Sequence, residues 1–467
     1  MPNPAPRPRV AVILAAGKGT RMKSSLPKVL HEAAGRPLLA WVIDAARTVG
    51  CNRIVIVIGH GAERVRETIR GSDLVWVLQA EQRGTGHALA QAETEIPAEA
   101  TVLVLSGDVP LVLPMTLERL ADAADEGWGA MAVADLPDPG SLGRVIVDPA
   151  GAFQRIVEAR DATPEELAVH TINAGLYALP APDVFTYLRN LKTDNAQGEL
   201  YLTDAVTHAA RDGHAVRLVA LSEPEEALGV NDRTELARVH RLLLDQHLYI
   251  VMKLGATVLE PARTVIHYGV PVGEDTVIHP DVTLTGHTVI GRECVIHQGA
   301  WLRDTKVGDG AVIEPYSVLD GAEVGPGCRV GPFARLRPAS RLREGARVGN
   351  FVEVKNSEIG PGAKVNHLSY VGDATVGEGA NVGAGVITCN YDGVRKNPTE
   401  IGARAFIGSD TMLVAPVKVG AGASTAAGSV VTRNVPEGAL AVARVRQKNL
   451  EGRAGGLHRR KNLKEEG

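Results

Sequence analysis

Val324-Gly-Pro-Gly-Cys-Arg-Val330-Gly-Pro-Phe-Ala-Arg-Leu336-Arg-Pro-Ala-Ser-Arg-Leu342-Arg-Glu-Gly-Ala-Arg-Val348 places one aliphatic residue at every sixth position. The series extends backward through Leu319, Ile313, Val307, Leu302, Ile296, Ile290, Leu284, Ile278 and Val272. Forward it runs through Val354, Ile359, Val365, Val371, Val376 and Val382, then Ile407, Leu413, Val419, Thr425 and Val431. A step of five occasionally replaces six. Gly often follows the aliphatic residue, as at Gly273, Gly308, Gly325, Gly349 and Gly408. A repeat this long predicts a solenoid. One side chain per short strand points inward, glycine permits the adjoining turn, and three strands close a triangular coil. Stacked coils then pair their backbones ~4.8 Å apart. One polar insertion, Cys389–Glu400, interrupts the array and is expected to project from a corner, where loops often carry function.

Upstream the pattern changes. From about Arg9 to Asn231, buried-strand runs (Val10–Ala16, Ile54–Gly59, Leu74–Leu78, Val102–Leu105) alternate with helical segments such as Leu38–Val49 and Ala62–Ile69. That alternation predicts an α/β domain with a mainly parallel sheet. Asp232-Arg-Thr-Glu235 opens like a capping box, and Leu236, Val239, Leu243, Ile250 and Leu254 follow at helical spacing. Thr234–Met252 is therefore expected as one helix, ~30 Å long, between the two regions. The domains expected are 1–232, a linker helix over 233–254, and a solenoid over 255–467 that ends in a charged tail.

Bulk properties agree. In 467 residues there are 51 glycines and only 4% aromatics, which suits a glycine-punctuated β architecture. A net charge of −4 offers no broad attraction to nucleic acid or a membrane surface. Cys51, Cys294, Cys328 and Cys389 form no C-x-x-C pair, which points to a reducing cytosol rather than a disulfide or zinc framework. The apolar run after Arg7 and Arg9 is too short for a membrane span and leads into a Gly-rich loop, so it is read as a first strand.

That loop reads Leu14-Ala15-Ala16-Gly17-Lys-Gly19-Thr-Arg21-Met22, followed by Pro27-Lys28. Small residues let backbone N–H groups approach phosphate oxygens, and Arg21 and Lys28 add charge where pyrophosphate develops. The order is not that of a Walker P-loop. Ser106-Gly107-Asp108 ends an apolar strand, where open α/β sheets bind ligands. The second region holds Arg337, Glu353, Lys355, His367, Tyr370, Asn381, Ala384, Asn390, Tyr391, Ser409, Ala427 and Arg444, several of them polar residues that a passive solenoid does not require. Acyl transfer to an amine needs a base, which neutral imidazole supplies near pH 7, together with cations for a phosphate and donors for an oxyanion.

The loop with its Arg-Met and Pro-Lys, the segment Gln79-Ala-Glu-Gln-Arg-Gly84-Thr85-Gly86-His87, the Ser-Gly-Asp turn and Gly229-Val-Asn231 resemble sugar nucleotidyltransferases. With the repeats included, nearly the whole chain resembles the bacterial bifunctional N-acetylglucosamine-1-phosphate uridylyltransferase/glucosamine-1-phosphate N-acetyltransferase family. The resemblance implies a Rossmann-like nucleotidyltransferase domain plus a left-handed parallel β-helix of hexapeptide repeats, joined by a long α-helix; the handedness comes from the likeness, not from the period. It implies that Asp108 and Asn231 hold Mg²⁺, and that Gln79, Gly84 and Thr85 face uracil. Gly143, Glu158 and Asn173 would hold the sugar, while Leu14 to Gly17, Lys28, Ser106 and Gly107 complete the UTP cleft. Ser106 stands where some members carry Tyr, so that packing contact is not carried over.

At the second site the resemblance makes His367 the base, oriented or polarised by Glu353. Arg337, Lys355, Tyr370 and Asn381 would bind glucosamine-1-phosphate. Ala384, Asn390, Tyr391, Ser409, Ala427 and Arg444 would bind acetyl-CoA, at sites formed between neighbouring subunits of a trimer. The implied sequence is acetylation from acetyl-CoA, then uridylyl transfer from UTP with release of pyrophosphate, in the cytoplasm. The alternative is a nucleotidyltransferase whose β-helix only oligomerises or regulates.

Overall fold

A computed structural model describes residues 7–195 and 197–451. The charged tail expected after Gly452 lies outside the described residues. The chain divides into two compact units, the second beginning at His247, inside the helix Arg233–Lys253.

The first unit is built on a nine-stranded sheet. Its main path runs Val216–Ala220, Gly129–Asp135, Thr171–Pro180, Thr101–Ser106, Arg9–Ala15, Arg53–Ile58, Leu74–Leu78. Thr171–Pro180 runs antiparallel to both neighbours, and the other pairings on this path are parallel. Strand Arg9–Ala15 is apolar on both faces because both are covered. Ala11, Ile13 and Ala15 join one buried cluster with helices Leu38–Thr48 and Pro114–Asp125, whereas Val10 and Val12 join another with Leu202–Arg211. The hairpin Arg144–Val147/Phe153–Val157 attaches where Arg144 meets Ile172.

The second unit has three parallel sheets of 11, 10 and 8 strands, each coil giving one short strand to a face. It is a left-handed parallel β-helix. The residues of the six-step series fall inside: Ile278, Ile296, Ile313, Val330, Val348 and Val365 succeed one another on the first face, all essentially solvent-free. Each contributes ~1.5–3 kcal/mol of apolar burial.

The glycines act differently from the expectation. Gly349 has no positive φ; a Cβ there would stand 2.0 Å from the Asn366 carbonyl oxygen of the next coil. The glycine after the inward residue is therefore a close-approach position. Apart from Gly331, left-handed backbone falls elsewhere in the coil, as on Gly345 after Leu342 and on non-glycine residues such as Phe351 and Leu368. The 389–400 insertion does leave the coil: Val394 is 89% exposed, and a bridge between Tyr391 and Lys396 folds the segment into a hairpin.

All four cysteines are free thiols. Among the described residues, no helix is long and apolar enough to cross a membrane.

Candidate active sites

The first site lies where strands Arg9–Ala15 and Thr101–Ser106 end side by side, with Leu14 opposite Ser106. A cleft of about 550 Å³ is lined by Leu14 to Thr20, Lys28, Gln79, Gln82, Gly84, Thr85, Ser106, Asp108 and Glu199 among others. Gly19 takes the left-handed conformation, and a Cβ on it would meet Lys28 Cβ at 2.7 Å; a bare glycine thus lets Lys28 lie along the loop. Lys28 Nζ donates to Asp108 Oδ2 and, at 3.2 Å, to Asn231 Oδ1. Residues separated by 203 positions meet at one ammonium. Val230 N–H donates to the Asp108 carbonyl, tying the two oxygen-bearing residues together. Gly107 N–H donates to Leu14 O.

Gln79 is buried, and its amide donates to Gly84 O at 3.2 Å and bonds His87 Nδ1 at 3.0 Å. Thr85 Oγ accepts from Leu202 N–H. Arg21 is exposed on the turn Thr20–Met22 and is not among the cleft-lining residues. Gln82, to which the sequence reading gives no role, donates its amide to Ala16 O at 2.7 Å and fixes the Gly-rich loop.

Gly143, Glu158 and Asn173 form a second cluster in the same unit. A Cβ on Gly143 would stand 3.4 Å from a Glu158 carboxylate oxygen, and Asn173 N–H donates to Gly143 O. A bulge between Asn173 and Tyr177, with Gly175 at positive φ, lets the Asn173 amide donate to the Tyr177 hydroxyl at 2.6 Å. Burial pushes the Glu158 carboxyl up from its ordinary pKa, against a hydrogen bond from Thr203. It pushes the Tyr177 phenol up as well.

In the second unit His367 ends the strand Lys364–His367, and Asn350 stands beside it one coil back. His367 Nδ1 lies 2.9 Å from Asn350 Oδ1. Ala384, Ser409 and Ala427 fill the same corner position on the following coils. Backbone bonds link them in order: Gly385 N–H to His367 O, Asp410 N–H to Ala384 O, Gly428 N–H to Ser409 O. Arg444 closes the column by donating to Ala427 O at 3.1 Å. Three small residues thus stand in a row between the imidazole and a guanidinium.

The adjoining face carries Arg337, Glu353, Lys355 and Tyr370, which flank the inward Leu336, Val354 and Val371. Within the chain Glu353 pairs with Arg337 at 2.9 Å, and the imidazole lies against Asn350. Glu353 and His367 start on different faces, so register brings Tyr370, not His367, opposite Glu353. Asn381 also stands apart, between Lys364 and Phe406 on another face.

Two further residues matter. The Lys396 ammonium against Lys355, with burial and Arg337 adding, pulls Lys355 below the usual lysine pKa, so the insertion delivers a cation to this face. Asp373 anchors the insertion: its Oδ2 accepts from Asn390 at 2.5 Å, its Oδ1 from Asn356 at 2.6 Å, and its carbonyl from Thr399 N–H. Asp373, Lys396 and Asn397 also line a groove of about 480 Å³ beneath the insertion. Tyr391 is 63% exposed at the insertion's start.

Comparison with known proteins follows the same division. Residues 11–202 match the MobA-like NTP transferase domain, and residues 304–338 match the bacterial transferase hexapeptide repeats. The chain therefore joins a nucleotidyltransferase to a hexapeptide-repeat transferase. The bifunctional protein GlmU of Pelobacter propionicus is 46% identical over 95% of this chain and 97% of its own length; that of Alkalilimnicola ehrlichii is 49% identical over 94% and 95%. A solved structure of UDP-glucose pyrophosphorylase complexed with UDP-glucose aligns over 50% of this chain and 97% of its own, at 19% identity and a TM-score of 0.42. The chain belongs to the GlmU family of bifunctional enzymes, which combine uridylyltransferase and acetyltransferase activities.

Proposed function

We propose that the β-helix acetylates glucosamine-1-phosphate with acetyl-CoA and that the α/β unit then joins the product to UTP, giving UDP-N-acetylglucosamine and pyrophosphate. The observation that carries the second step is the meeting of Lys28, Asp108 and Asn231 at the end of the Gly-rich cleft.

Mg²⁺ suits that meeting point. Two oxygen donors already converge there on one cation, the Lys28 ammonium. Among the described residues no group of three His, Cys, Asp or Glu could hold a metal, so the remaining positions fall to phosphate oxygens and water, the usual Mg²⁺ arrangement. Bound there, Mg²⁺ would neutralise charge on the transferring phosphate. The sugar phosphate is already ionised, so catalysis rests on alignment and charge stabilisation. Lys28 supplies charge, Gln79 with Gly84 and Thr85 receives the uracil, and Glu158 with Asn173 orients the sugar. Arg21 is assigned to the pyrophosphate end from its loop position.

In the β-helix, Asn350 accepts the Nδ1 proton of His367, which leaves Nε2 to take a proton from the attacking amine. Arg337, Lys355 and Tyr370 receive the phosphorylated sugar, with Asn381 supplied from another face. The row Ala384–Ser409–Ala427, ending at Arg444, takes the pantetheine arm and a phosphate, and Asn390 and Tyr391 border the thioester. Assembly as a trimer is supported by an exposed stack beside His367: Tyr316, Phe333 and Phe351, with ring centroids 5.5 and 5.3 Å apart, continued by Leu368. A second copy would cover that stack and bring Asn381 to a neighbour's Tyr370. Free thiols and these substrates support a cytoplasmic enzyme.

Incubation of pure protein with glucosamine-1-phosphate, acetyl-CoA, UTP and Mg²⁺, omitting each in turn, tests the scheme. UDP-N-acetylglucosamine formed without acetyl-CoA would overturn it.

A further inference from the structure

Arg233 does nothing in the chemistry assigned above, yet it is placed with unusual economy. It opens the helix Arg233–Lys253, two residues after Asn231. Its Nε donates to the Met22 carbonyl at 3.3 Å, and its Nη1 donates to His31 Nδ1 at 3.2 Å. Met22 and His31 bound the segment that displays Pro27-Lys28, and both are buried. One guanidinium therefore grips both ends of the segment that carries Lys28. His31 N–H donates in turn to the Lys28 carbonyl. From the other side, Glu235 Oε2 accepts the Asn231 N–H at 2.5 Å and the Asp232 N–H at 3.2 Å, which holds Asn231 to the same helix start.

To accept from Arg233, His31 Nδ1 must be unprotonated, so the ring is neutral with its proton on Nε2. Burial and the Arg233 charge hold its pKa below the ordinary imidazole value, against a backbone bond to Leu26 within the same segment. Lys28 Nζ must reach Asp108 and Asn231 together, and Arg233 ties the Lys28 segment to the turn that presents Asn231.

Resting on the assignment of Lys28, Asp108 and Asn231 above, we infer that Arg233 is a positioning residue for uridylyl transfer, clamping Met22–His31 through the Met22 carbonyl and the His31 ring. Lysine cannot replace it, because a single ammonium lacks the fork that spans two acceptors.

Full-length Arg233→Lys is compared with the parent by hydrogen exchange of the substrate-free, metal-free protein and by assay of both activities. Three results are expected together: faster exchange confined to residues 20–31, at least tenfold lower kcat for uridylyl transfer at saturating UTP, and unchanged acetyl transfer. Full uridylyl activity with local exchange unaltered would overturn the inference. So would a loss of activity accompanied by faster exchange throughout the first unit, which marks Arg233 as a general stabiliser. Absence of uridylyl transfer in the parent would instead sink the underlying site assignment.

Discussion

His367 Nδ1 lies 2.9 Å from Oδ1 of Asn350, its neighbour on the preceding coil. The Asn350 oxygen can only accept, so this contact favours the tautomer with its proton on Nδ1, which leaves Nε2 free for the base role proposed above. Replacing Asn350 by Leu removes this selection while leaving the strand intact. Acetyl transfer should then fall ~10- to 100-fold in kcat, short of the ~10²–10⁴ attached to a general base itself. Uridylyl transfer is the internal control, and an equal loss of both would show a folding defect.

Removing the divalent ion should separate the two activities. EDTA should stop uridylyl transfer and spare acetyl transfer, because the roles proposed for His367, Asn350 and Arg337 need no metal. Asp108→Ala should reproduce the EDTA result and His367→Ala its converse. Coupled assays of each half-reaction read this directly. An Asp108→Ala enzyme with normal Mg²⁺-dependent uridylyl transfer would refute the metal assignment.

Asp373 lies at the base of the 389–400 insertion, its two carboxylate oxygens occupied by the amides of Asn390 and Asn356. Asp373→Asn keeps the shape but turns an amide NH₂ toward another donor. A hydrogen bond to a charged group is worth ~1.5–3 kcal/mol, so the insertion should detach and the KM for acetyl-CoA should rise roughly tenfold or more. An unchanged KM would place Asn390 outside the thioester site.

Much of this was legible because the β-helix writes its geometry into a short period. Val365, Val382, Ile407 and Thr425 point inward on one face, so His367, Ala384, Ser409 and Ala427, each two residues later, had to share a corner. Period alone did not say which side chain would turn toward His367. The resemblance names Glu353 for that position; within the chain its face pairs it with Arg337, and Asn350 lies in register with His367. In the α/β unit the Gly-rich loop and the Ser106-Gly107-Asp108 turn were readable as strand-end motifs. The contact of Lys28 with Asn231 was not, because a separation of 203 residues leaves no local pattern.

Glu158 gives a pH-dependent test. Burial raises its pKa, so the folded first unit binds this proton more tightly than the unfolded chain does. The stabilisation is therefore complete at low pH and is lost as pH rises through the folded value. Glu158→Gln, neutral throughout, should raise the unfolding temperature of the first unit at neutral pH, with the gain vanishing below the ordinary carboxylate pKa of ~4.3. Because the carboxylate is assigned to the sugar, the same variant should raise the KM for N-acetylglucosamine-1-phosphate. Calorimetry across pH and steady-state kinetics check the two halves; a variant less stable at neutral pH would reverse the sign argued here.

Gly349 and Gly345 show two distinct uses of glycine in the coil. A Cβ on Gly349 would stand 2.0 Å from the Asn366 carbonyl oxygen, although its backbone is ordinary. A Cβ on Gly345 meets nothing within 4 Å, but its φ of +66° is left-handed. Gly345→Ala should cost ~1–2 kcal/mol, the penalty for an L-residue there. Gly349→Ala must push neighbouring coils away from each other next to Asn350, and should cost at least the ~1–3 kcal/mol of an overpacked core. Asn366 directly precedes His367, so the displacement also reaches the Asn350–His367 pair. Gly349→Ala should therefore lose acetyl transfer at temperatures where Gly345→Ala retains it, with uridylyl transfer intact in both. Equal behaviour of the two variants would refute the close-approach reading of Gly349.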